Sequence, residues 1–498
     1  MSRDKADNQT VRRVESLLIM KLRIAMVMIA PSWFGVLTSV HAESDYVVVA
    51  SKATIQDPAW KKVADALLQK HHGELVTYDG SVKQSLATLR KLHPLYTCFV
   101  AKPKSVTQQY VADIHQLTRK YNDDPFCDTF WGILTGYDAA NALTIAQNSE
   151  PLTVRKVIAN TDIAYEMVDE AIVYDEQVQN RMIRKKSGKA PVTMEGPDDT
   201  TQAMVEALNK FAPDLIVSSS HATEGDWQLA FSYPNGQFKS KAGKMTGYDT
   251  DDNEFPVSSP NPKVYLPVGN CLMGHINNSN AMALAWMNSV GVYQMIGYIF
   301  ETWYGYAGWG CLDYFVEQPG RYTLAEAFRA NDCALIQRLL SYAPQAATVE
   351  SELSENPEYH GKLTARARQD GITKDDVEGL LFDRDVLAFY GDPKWEARMA
   401  DAPKAWNQSL TESNGIYTFT VQPNRGVKSF EPVNRNGSQR GGRPLVEFFP
   451  YRLKDFSLLD GADLNPVFAD GFLLVPNPGT CDPSKKYVVR FQASRMTD

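Results

Sequence analysis

Apolar β-branched runs alternate with segments of helical apolar spacing along the first third of the chain. The runs that read as strands are residues 46–50, 74–78, 96–100 and 128–135. The segments with helical spacing are residues 57–70, 82–92, 106–121 and 138–147. Strands that alternate with helices are typical of an α/β layer with a mostly parallel sheet. We therefore predict a first α/β unit over residues 43–155.

The same alternation restarts near residue 156. Strands are predicted at residues 215–219, 263–268 and 292–300, and helices at residues 200–211, 280–288, 324–341 and 374–388. The apolar stretch 281–300 contains Asn288, Ser289 and Gln294, so a buried helix followed by a strand explains it better than a membrane span. A second α/β unit is predicted over residues 156–392, with the basic run 181–189 as a solvated loop.

The pattern changes after Asn407. Short apolar strands are predicted at residues 416–421, 445–449, 472–475 and 487–491, and turns rich in Gly, Pro and Asn separate them. Short strands at this spacing, without intervening helices, favour a small all-β sandwich. We predict such a domain over residues 405–498.

The N-terminal 42 residues have the form of a secretory signal. Lys21 and Arg23 precede the apolar run 24–38, and the small residue Ala42 follows it at an expected cleavage point. Pro31 interrupts the run, which is also short for a bilayer span. We expect a secreted or periplasmic protein without a membrane span after cleavage. An uncleaved anchor is the alternative, and Met20 is an alternative start.

Composition and charge narrow the function classes. The 498 residues are 44% hydrophobic and 22% charged, which excludes a mainly disordered chain. Lys+Arg 51 against Asp+Glu 59 gives a net charge of −8, and removal of residues 1–42 makes it −11. Nucleic acid is therefore not an expected partner. Six cysteines are too few for a disulfide scaffold, although export permits some pairing that the sequence does not specify.

Two predicted strands end in residues that carry chemistry. His221 follows the strand at 215–219, and Cys271 follows the strand at 263–268. Ligands bind outside the carboxyl ends of parallel strands, so neighbouring strands would deliver both side chains to one edge. An imidazole beside a thiol is the pairing that a thiol nucleophile needs. A helix predicted shortly after Cys271 would also favour the thiolate through its N-terminus.

At this point the sequence resembles the caspase–gingipain–legumain group of cysteine peptidases, and within it the gingipain-like secreted peptidases. The separation of His221 and Cys271 carries the resemblance. Three segments add to it: DTFWGILTG from Asp128, IGYIFETWYGYAGWG from Ile296, and LAFYGDPKW from Leu387. The group usually has Gly where this chain has Ala222, and often Ala where it has Asn270.

The resemblance implies two caspase-like α/β units followed by an immunoglobulin-like domain. It also implies a cysteine endopeptidase that acts on proteins or peptides without a metal. Cys271 would attack the scissile carbonyl, and His221 would act as base or protonate the leaving amine. The backbone N–H groups of Ala222 and Cys271 would hold the oxyanion.

Other residues extend this site or offer alternatives to it. Glu224 and Asp226 are candidates to orient the imidazole or to line a pocket for a cationic group, and Trp303 and Tyr304 are candidates for a pocket wall. His275 is an alternative partner for Cys271. No cofactor is expected, although Asp249, Asp251 and Asn253 have the alternate spacing of a calcium loop.

Two rival functions remain open at this stage. One is an exported binding or scaffold protein that retains the fold without catalysis. The other is a metal-dependent hydrolase that uses His221, Glu224 and His275.

Overall fold

The structure, a computed structural model, describes residues 45–349, 353–354, 357–434 and 442–496. The predicted signal segment lies outside the described residues, so its cleavage and the export of the protein stay predictions. Within the described ranges, every helix is too short or too polar to cross a bilayer.

The strands and helices of the α/β part lie between residues 46 and 399. Its strands are β1 (Tyr46–Ser51), β2 (Glu74–Tyr78), β3 (Tyr96–Val100), β4 (Phe130–Leu134), β5 (Leu152–Val154), β6 (Lys156–Ala159), β7 (Glu170–Tyr174), β8 (Arg181–Lys185), β9 (Val192–Glu195), β10 (Leu215–Ser218), β11 (Asp226–Gln228), β12 (Gln237–Lys241), β13 (Lys244–Tyr248), β14 (Glu254–Pro256), β15 (Lys263–Pro267), β16 (Val292–Tyr298), β17 (Leu387–Tyr390) and β18 (Ala397–Met399). Its helices are α1 (Lys52–Ile55), α2 (Pro58–His71), α3 (Leu86–Leu92), α4 (Gln108–Thr118), α5 (Ala139–Gln147), α6 (Thr201–Glu206), α7 (Met282–Ser289), α8 (Tyr306–Val316), α9 (Leu324–Tyr342), α10 (Pro344–Thr348), α11 (Ala365–Gln369) and α12 (Lys374–Asp383).

Twelve of these strands form one sheet in the order β2-β1-β3-β4-β17-β16-β15-β10-β6-β7-β8-β9. Strands β1 to β4 run parallel to one another, and β17 runs parallel to β4. On its other side β17 pairs with β16 in the antiparallel sense, and β16, β15, β10, β6 and β7 are again mutually parallel. The sheet therefore has two halves that run in opposite directions.

The two predicted α/β units thus share a single sheet. The boundary predicted after residue 155 divides strands that β17 joins, because this late strand inserts between β4 and β16. Its residues Leu387 to Tyr390 are all buried, as expected for a strand covered on both faces. The sequence pattern predicted strands in each unit, but it did not predict that β17 inserts between β4 and β16.

The basic run predicted as a solvated loop is instead partly a strand. Arg181–Lys185 forms β8, which pairs with β7 and with β9 at the sheet edge. Ile183 is buried while the flanking arginines remain accessible. The prediction was wrong because it was based on the many charged residues in the run. A single apolar residue that faces the core is enough to place a strand at a sheet edge.

The described residues of the C-terminal part form seven antiparallel strands. They are β19 (Trp406–Ser413), β20 (Ile416–Pro423), β21 (Leu445–Phe448), β22 (Leu453–Asp460), β23 (Val467–Ala469), β24 (Phe472–Val475) and β25 (Tyr487–Arg495). They form a four-stranded and a three-stranded sheet, and both sheets contribute to one core that includes Phe419, Leu473 and Phe491. All four strands predicted here are present, and an immunoglobulin-like topology stays a prediction.

Candidate functional site

Three neighbouring strands of the second half of the sheet end at the same edge. Strand β10 pairs with β15 in parallel, with Ser218 opposite Pro267, and β15 pairs in parallel with β16. His221 follows β10, Cys271 follows β15 and Thr302 follows β16. The strands that precede His221 and Cys271 are therefore neighbours in the sheet, which is the arrangement that a shared site needs.

A buried asparagine joins the first two of these strand ends. Asn270 is fully buried, and its Nδ2 donates to the backbone carbonyl of Ser220 at 2.9 Å. Its Oδ1 accepts a hydrogen bond of 2.5 Å from the hydroxyl of Ser218. The residue before Cys271 thus holds the residue before His221, which gives a structural reason for an amide at this position.

The sulfur of Cys271 is half-buried and accepts a backbone hydrogen bond. The N–H of Thr302 donates to Sγ at 3.3 Å, and the Thr302 hydroxyl donates to the carbonyl of Asn270 at 3.2 Å. The predicted contribution of a helix N-terminus is not found, because residues 271–274 form a turn and the next helix begins only at Met282.

His221 is exposed, and its ring stacks on another exposed ring. Its centroid lies 4.6 Å from that of Phe231, with an interplanar angle of 23°. Among the described residues, the side chains of His221 and Cys271 do not hydrogen bond each other. The structure brings the two residues to one edge without closing a contact between them.

Neither of the two backbone N–H groups proposed for the oxyanion has a hydrogen-bond acceptor among the described residues. A short antiparallel bridge joins Ala222 to Trp227, but its hydrogen bonds use the carbonyl of His221 and the N–H of Thr223. In the described chain, neither Ala222 N–H nor Cys271 N–H donates to a protein acceptor. Each is therefore available to an oxygen from outside the chain.

Strained backbone flanks both reactive residues. Ser220, directly before His221, has φ 92°, and Leu272, directly after Cys271, has φ 56°. Positive φ disfavours residues with a side chain, and such strain is concentrated at functional sites. The two positions lie at adjacent strand ends, and nine other described residues that are not glycine also have positive φ.

The two carboxylates predicted near His221 have different environments. Glu224 Oε1 lies 3.0 Å from Nδ1 of His275, so this pair joins the loop after His221 to the turn after Cys271. Asp226 accepts a hydrogen bond of 2.9 Å from the hydroxyl of Thr223 within its own turn. Glu224 is thus placed between the two loops, and the pocket role of both residues stays a prediction.

The two aromatic residues predicted as a pocket wall differ in exposure. Trp303 follows Thr302 directly and is 47% exposed. Tyr304 is buried, and its hydroxyl donates to Asp376 of α12 at 3.2 Å. Trp303 is therefore accessible beside the sulfur's hydrogen-bond donor, whereas Tyr304 packs against a helix.

Sequence reasoning missed two residues on the histidine side of the site, Phe231 and Glu176. The N–H of Phe231 donates to the carbonyl of Glu176 at 2.8 Å, which links the ring stacked on His221 to the end of β7. Burial raises the pKa of Glu176 to about 7, and a hydrogen bond of 2.6 Å from Thr161 opposes that shift only in part. The sequence signal was weak, since neither residue belongs to a motif.

A cleft of about 530 Å³ lies beside Glu176. Its lining includes the acidic residues Asp175, Glu176 and Glu431 and the basic residues Arg181, Arg425 and Lys428. The α/β part supplies one wall, and the segment 425–433 of the C-terminal part supplies the other.

The residues of the two predicted metal alternatives lie in different parts of the structure. Within the described residues, the ligand atoms of His221, Glu224 and His275 do not all lie within 4.8 Å of one another. In the predicted calcium loop, Asp249 Oδ1 accepts the backbone N–H groups of Asp251 and Asn253 at 3.0 and 2.8 Å. The alternating polar spacing there therefore stabilises a turn, and calcium binding stays a prediction.

The six thiols fall into two classes. Cys98, Cys127, Cys311 and Cys333 are buried, and burial raises the pKa of each, to about 12 for Cys127. Cys271 and Cys481 are half-buried, and all six are free thiols. Only these two are accessible to a reagent in the folded protein.

Comparison with known proteins adds a structural similarity. No family model and no curated protein matches the chain. A solved structure of the Arg-specific cysteine proteinase gingipain R is similar over 91% of this chain and 98% of its own, with 10% identity and a TM-score of 0.44.

Proposed function

We propose that the protein is a cysteine peptidase in which Cys271 is the nucleophile and His221 the general acid and base. The observation that carries the proposal is the junction of β10 and β15. The Asn270 side chain binds the Ser220 carbonyl there, so the residues that follow, His221 and Cys271, lie at one sheet edge.

The proposed chemistry is acyl transfer. His221 takes the thiol proton, Cys271 Sγ forms a bond to the scissile carbonyl carbon, and the carbonyl oxygen becomes an oxyanion. The N–H groups of Ala222 and Cys271 donate hydrogen bonds to that oxygen, since neither donates to a described protein group. His221 then protonates the leaving amine, and water releases the acyl group from sulfur. The open contact between His221 and Cys271 would close when substrate binds, as is common in unliganded enzymes.

Alkylation with iodoacetamide tests the nucleophile. Cys481 is an internal reference, because it is half-buried like Cys271 while the other four thiols are buried. We expect Cys271 to react at least about tenfold faster than Cys481 at neutral pH, and His221→Ala to remove that advantage. Equal rates at the two thiols in the wild-type protein would contradict the proposal and leave the scaffold function standing.

Digestion of a peptide library in the presence of reductant tests the activity. Wild type and Cys271→Ala are compared in parallel, with Cys481→Ala as the matched control. Cleavage by wild type and by Cys481→Ala, with none by Cys271→Ala, is the expected result. Cleavage that survives Cys271→Ala and is lost on chelation would instead favour a metal-dependent hydrolase.

The pair of His275 and Glu224 supports a second assignment of the base within the same reaction. The carboxylate lies 3.0 Å from Nδ1 of His275, which is the kind of contact that orients an imidazole. If His275 is the base, His275→Ala abolishes the fast alkylation of Cys271 and His221→Ala does not. The two single variants therefore distinguish the two histidines.

A further inference from the structure

A second group of polar side chains lies away from the candidate site, where the α/β part contacts the C-terminal strands. His93 follows α3, Asp128 precedes β4, and Asp470 lies in the turn between β23 and β24. One ligand atom of each lies within 4.8 Å of the other two. In the described part of the chain, no other three His, Cys, Asp or Glu residues meet this condition.

The imidazole of His93 is fixed with an unused nitrogen. Its backbone is left-handed, with φ 42°, and its N–H donates to Leu89 at the end of α3. The ring packs edge-on against that of Tyr121, with centroids 6.3 Å apart. Nε2 is buried without a hydrogen-bond partner, 3.3 Å from Asp470 Oδ2 and 3.9 Å from Asp128 Oδ1. A buried nitrogen left without a partner is rare and requires an explanation.

Asp128 presents an unused oxygen to the same point. Its side chain is only 1% exposed, and Oδ2 accepts the backbone N–H groups of Tyr121 and Asn122 at 2.8 and 3.3 Å. Its other oxygen, Oδ1, accepts no hydrogen bond from the described residues and faces His93. The carboxylate is therefore held rigidly by one oxygen while the other is free to bind.

Arg452 draws the three segments together but does not neutralise them. Its Nη1 donates to Asp470 at 2.8 Å, and its Nη2 donates to the backbone carbonyls of His93, Pro94 and Asp128. One guanidinium thus faces the two carboxylates of the group. Asp124 adds a third carboxyl group nearby, with a pKa raised to about 6 by burial and by the charge of Asp128. A second guanidinium, that of Arg329, donates to the carbonyl of Cys127 and lies beside Gly471, so positive and negative groups both surround the three residues.

We propose that His93, Asp128 and Asp470 bind a divalent transition-metal ion of the Zn²⁺ class, which links the α/β part to the C-terminal strands. One imidazole nitrogen and two carboxylate oxygens are suitable zinc ligands, with bonds of about 2.0–2.2 Å. Ligand atoms around such an ion stand about 3.3 Å apart, so the observed 3.3 and 3.9 Å need only a small contraction. The role is structural, because the ion joins segments that are distant in sequence.

Titration of the full chain with Zn²⁺ tests the proposal. The protein is first treated with EDTA, and its accessible thiols are blocked with iodoacetamide so that Cys271 and Cys481 do not bind the ion. We expect about one equivalent to bind and the thermal midpoint to rise with free Zn²⁺, as for any ligand of the folded state. Binding should weaken as the pH falls, since the imidazole must be deprotonated.

Two variants and a control locate the ion. His93→Gln should weaken binding at least about tenfold, and Asp470→Asn is the second ligand variant if the first fails to fold. His360→Gln is the matched control, because His360 is exposed and pairs only with Glu358 at 3.2 Å. Absence of a bound equivalent, or equal affinity in His93→Gln and wild type, would overturn the proposal. A midpoint that depends on pH but not on Zn²⁺ would also overturn it and would assign the group to a protonated histidine between two carboxylates.

Discussion

The two halves of the central sheet use the ends of their strands in opposite ways. In the first half, polar side chains after the strands cap helices: Ser51 accepts the N–H of Thr54, and Asp138 accepts the N–H of Asn141. In the second half, His221 and Cys271 follow their strands without capping any helix. Equivalent positions in one sheet thus serve structure on one edge and remain open for chemistry on the other.

A buried carboxylate beside the first half of the sheet is an example of a side chain with a structural role. Asp392, after β17, is 1% exposed and accepts hydrogen bonds from Tyr46, His71, Lys70 and the N–H of Lys394. Burial alone would raise the pKa of Asp392, but the hydrogen bond from His71 and the charge of Lys70 outweigh it and hold the pKa well below its ordinary range. Asp392 therefore uses its hydrogen-bonding capacity within the protein, whereas the N–H groups of Ala222 and Cys271 donate to no acceptor among the described residues.

The largest expected effect is a loss of peptide cleavage after substitution of Cys271 in the second half of the sheet. Cys271→Ala should lower kcat/KM for peptide cleavage by at least about 10³-fold, because the covalent step is lost. The free energy of unfolding should change by less than about 1 kcal/mol, since the thiol is half-buried and has one weak contact. Peptide kinetics and urea unfolding check both parts. A large loss of stability would remove the contrast with the first half.

The reverse experiment affects stability instead. Asp392→Asn should reduce the free energy of unfolding by about 3–5 kcal/mol, because it removes the buried carboxylate that pairs with Lys70 and His71. The rate per folded molecule should not change. Asp65→Asn, in an exposed pair with Lys61, is the control and should cost no more than about 0.5 kcal/mol in urea unfolding. A loss of activity in folded Asp392→Asn protein would contradict the division.

The same carboxylate predicts a pH dependence. The pKa of Asp392 is lower in the folded state than in the unfolded chain, where it is about 3.9, so its contribution is complete above that pH and is lost as the pH falls. The stability difference between wild type and Asp392→Asn should therefore shrink below about pH 4. Urea midpoints measured between pH 3 and pH 7 check this, and a constant difference over that range would refute it.

A smaller effect is expected at a helix cap of the first half. Asp138→Ala should cost about 1 kcal/mol of unfolding free energy, because the N–H of Asn141 loses its acceptor at the start of α5. Asp138→Asn retains an acceptor and should recover most of the loss. Cleavage rates should be equal in all three proteins.

The smallest expected effect has the opposite sign. Ser220→Gly should raise the free energy of unfolding by less than about 1 kcal/mol, because glycine tolerates φ 92° and the lost hydroxyl has no partner. The relaxed backbone should lower the cleavage rate. Ala242→Gly, at φ 49° in a hairpin, is the control and should alter stability alone. Equal rates in wild type and Ser220→Gly would show that the strain before His221 is not functional.

Local patterning predicted the elements around the site well. The run Leu215 to Ser219 and the run Lys263 to Val268 are strands β10 and β15, since each is apolar and ends in small residues. The sequence alone did not establish that these two strands are neighbours. The pairing of Ser218 with Pro267 shows that they are adjacent in one sheet. The roles assigned to His221, Cys271 and their neighbours stay predictions.

Contacts between distant segments were beyond the same reasoning. Thr302 lies 31 positions from Cys271, and its donation to the sulfur depends on β16 lying beside β15. Phe231 and Glu176 reach the site through a loop and another strand end, with no spacing that the sequence marks. The predicted helix is present, but it does not begin next to the thiol, because residues 271–274 form a turn and the helix starts only at Met282.

The sequence by itself determined the strands around the candidate site, and that a thiol and an imidazole each follow one of them. These features are local, since side-chain size and the alternation of apolar positions act over a few residues. Only the tertiary structure decided that β17 joins the two halves, that Asn270 holds Ser220, and that His93, Asp128 and Asp470 converge. Those outcomes depend on which surfaces bury one another, and no local preference encodes that choice.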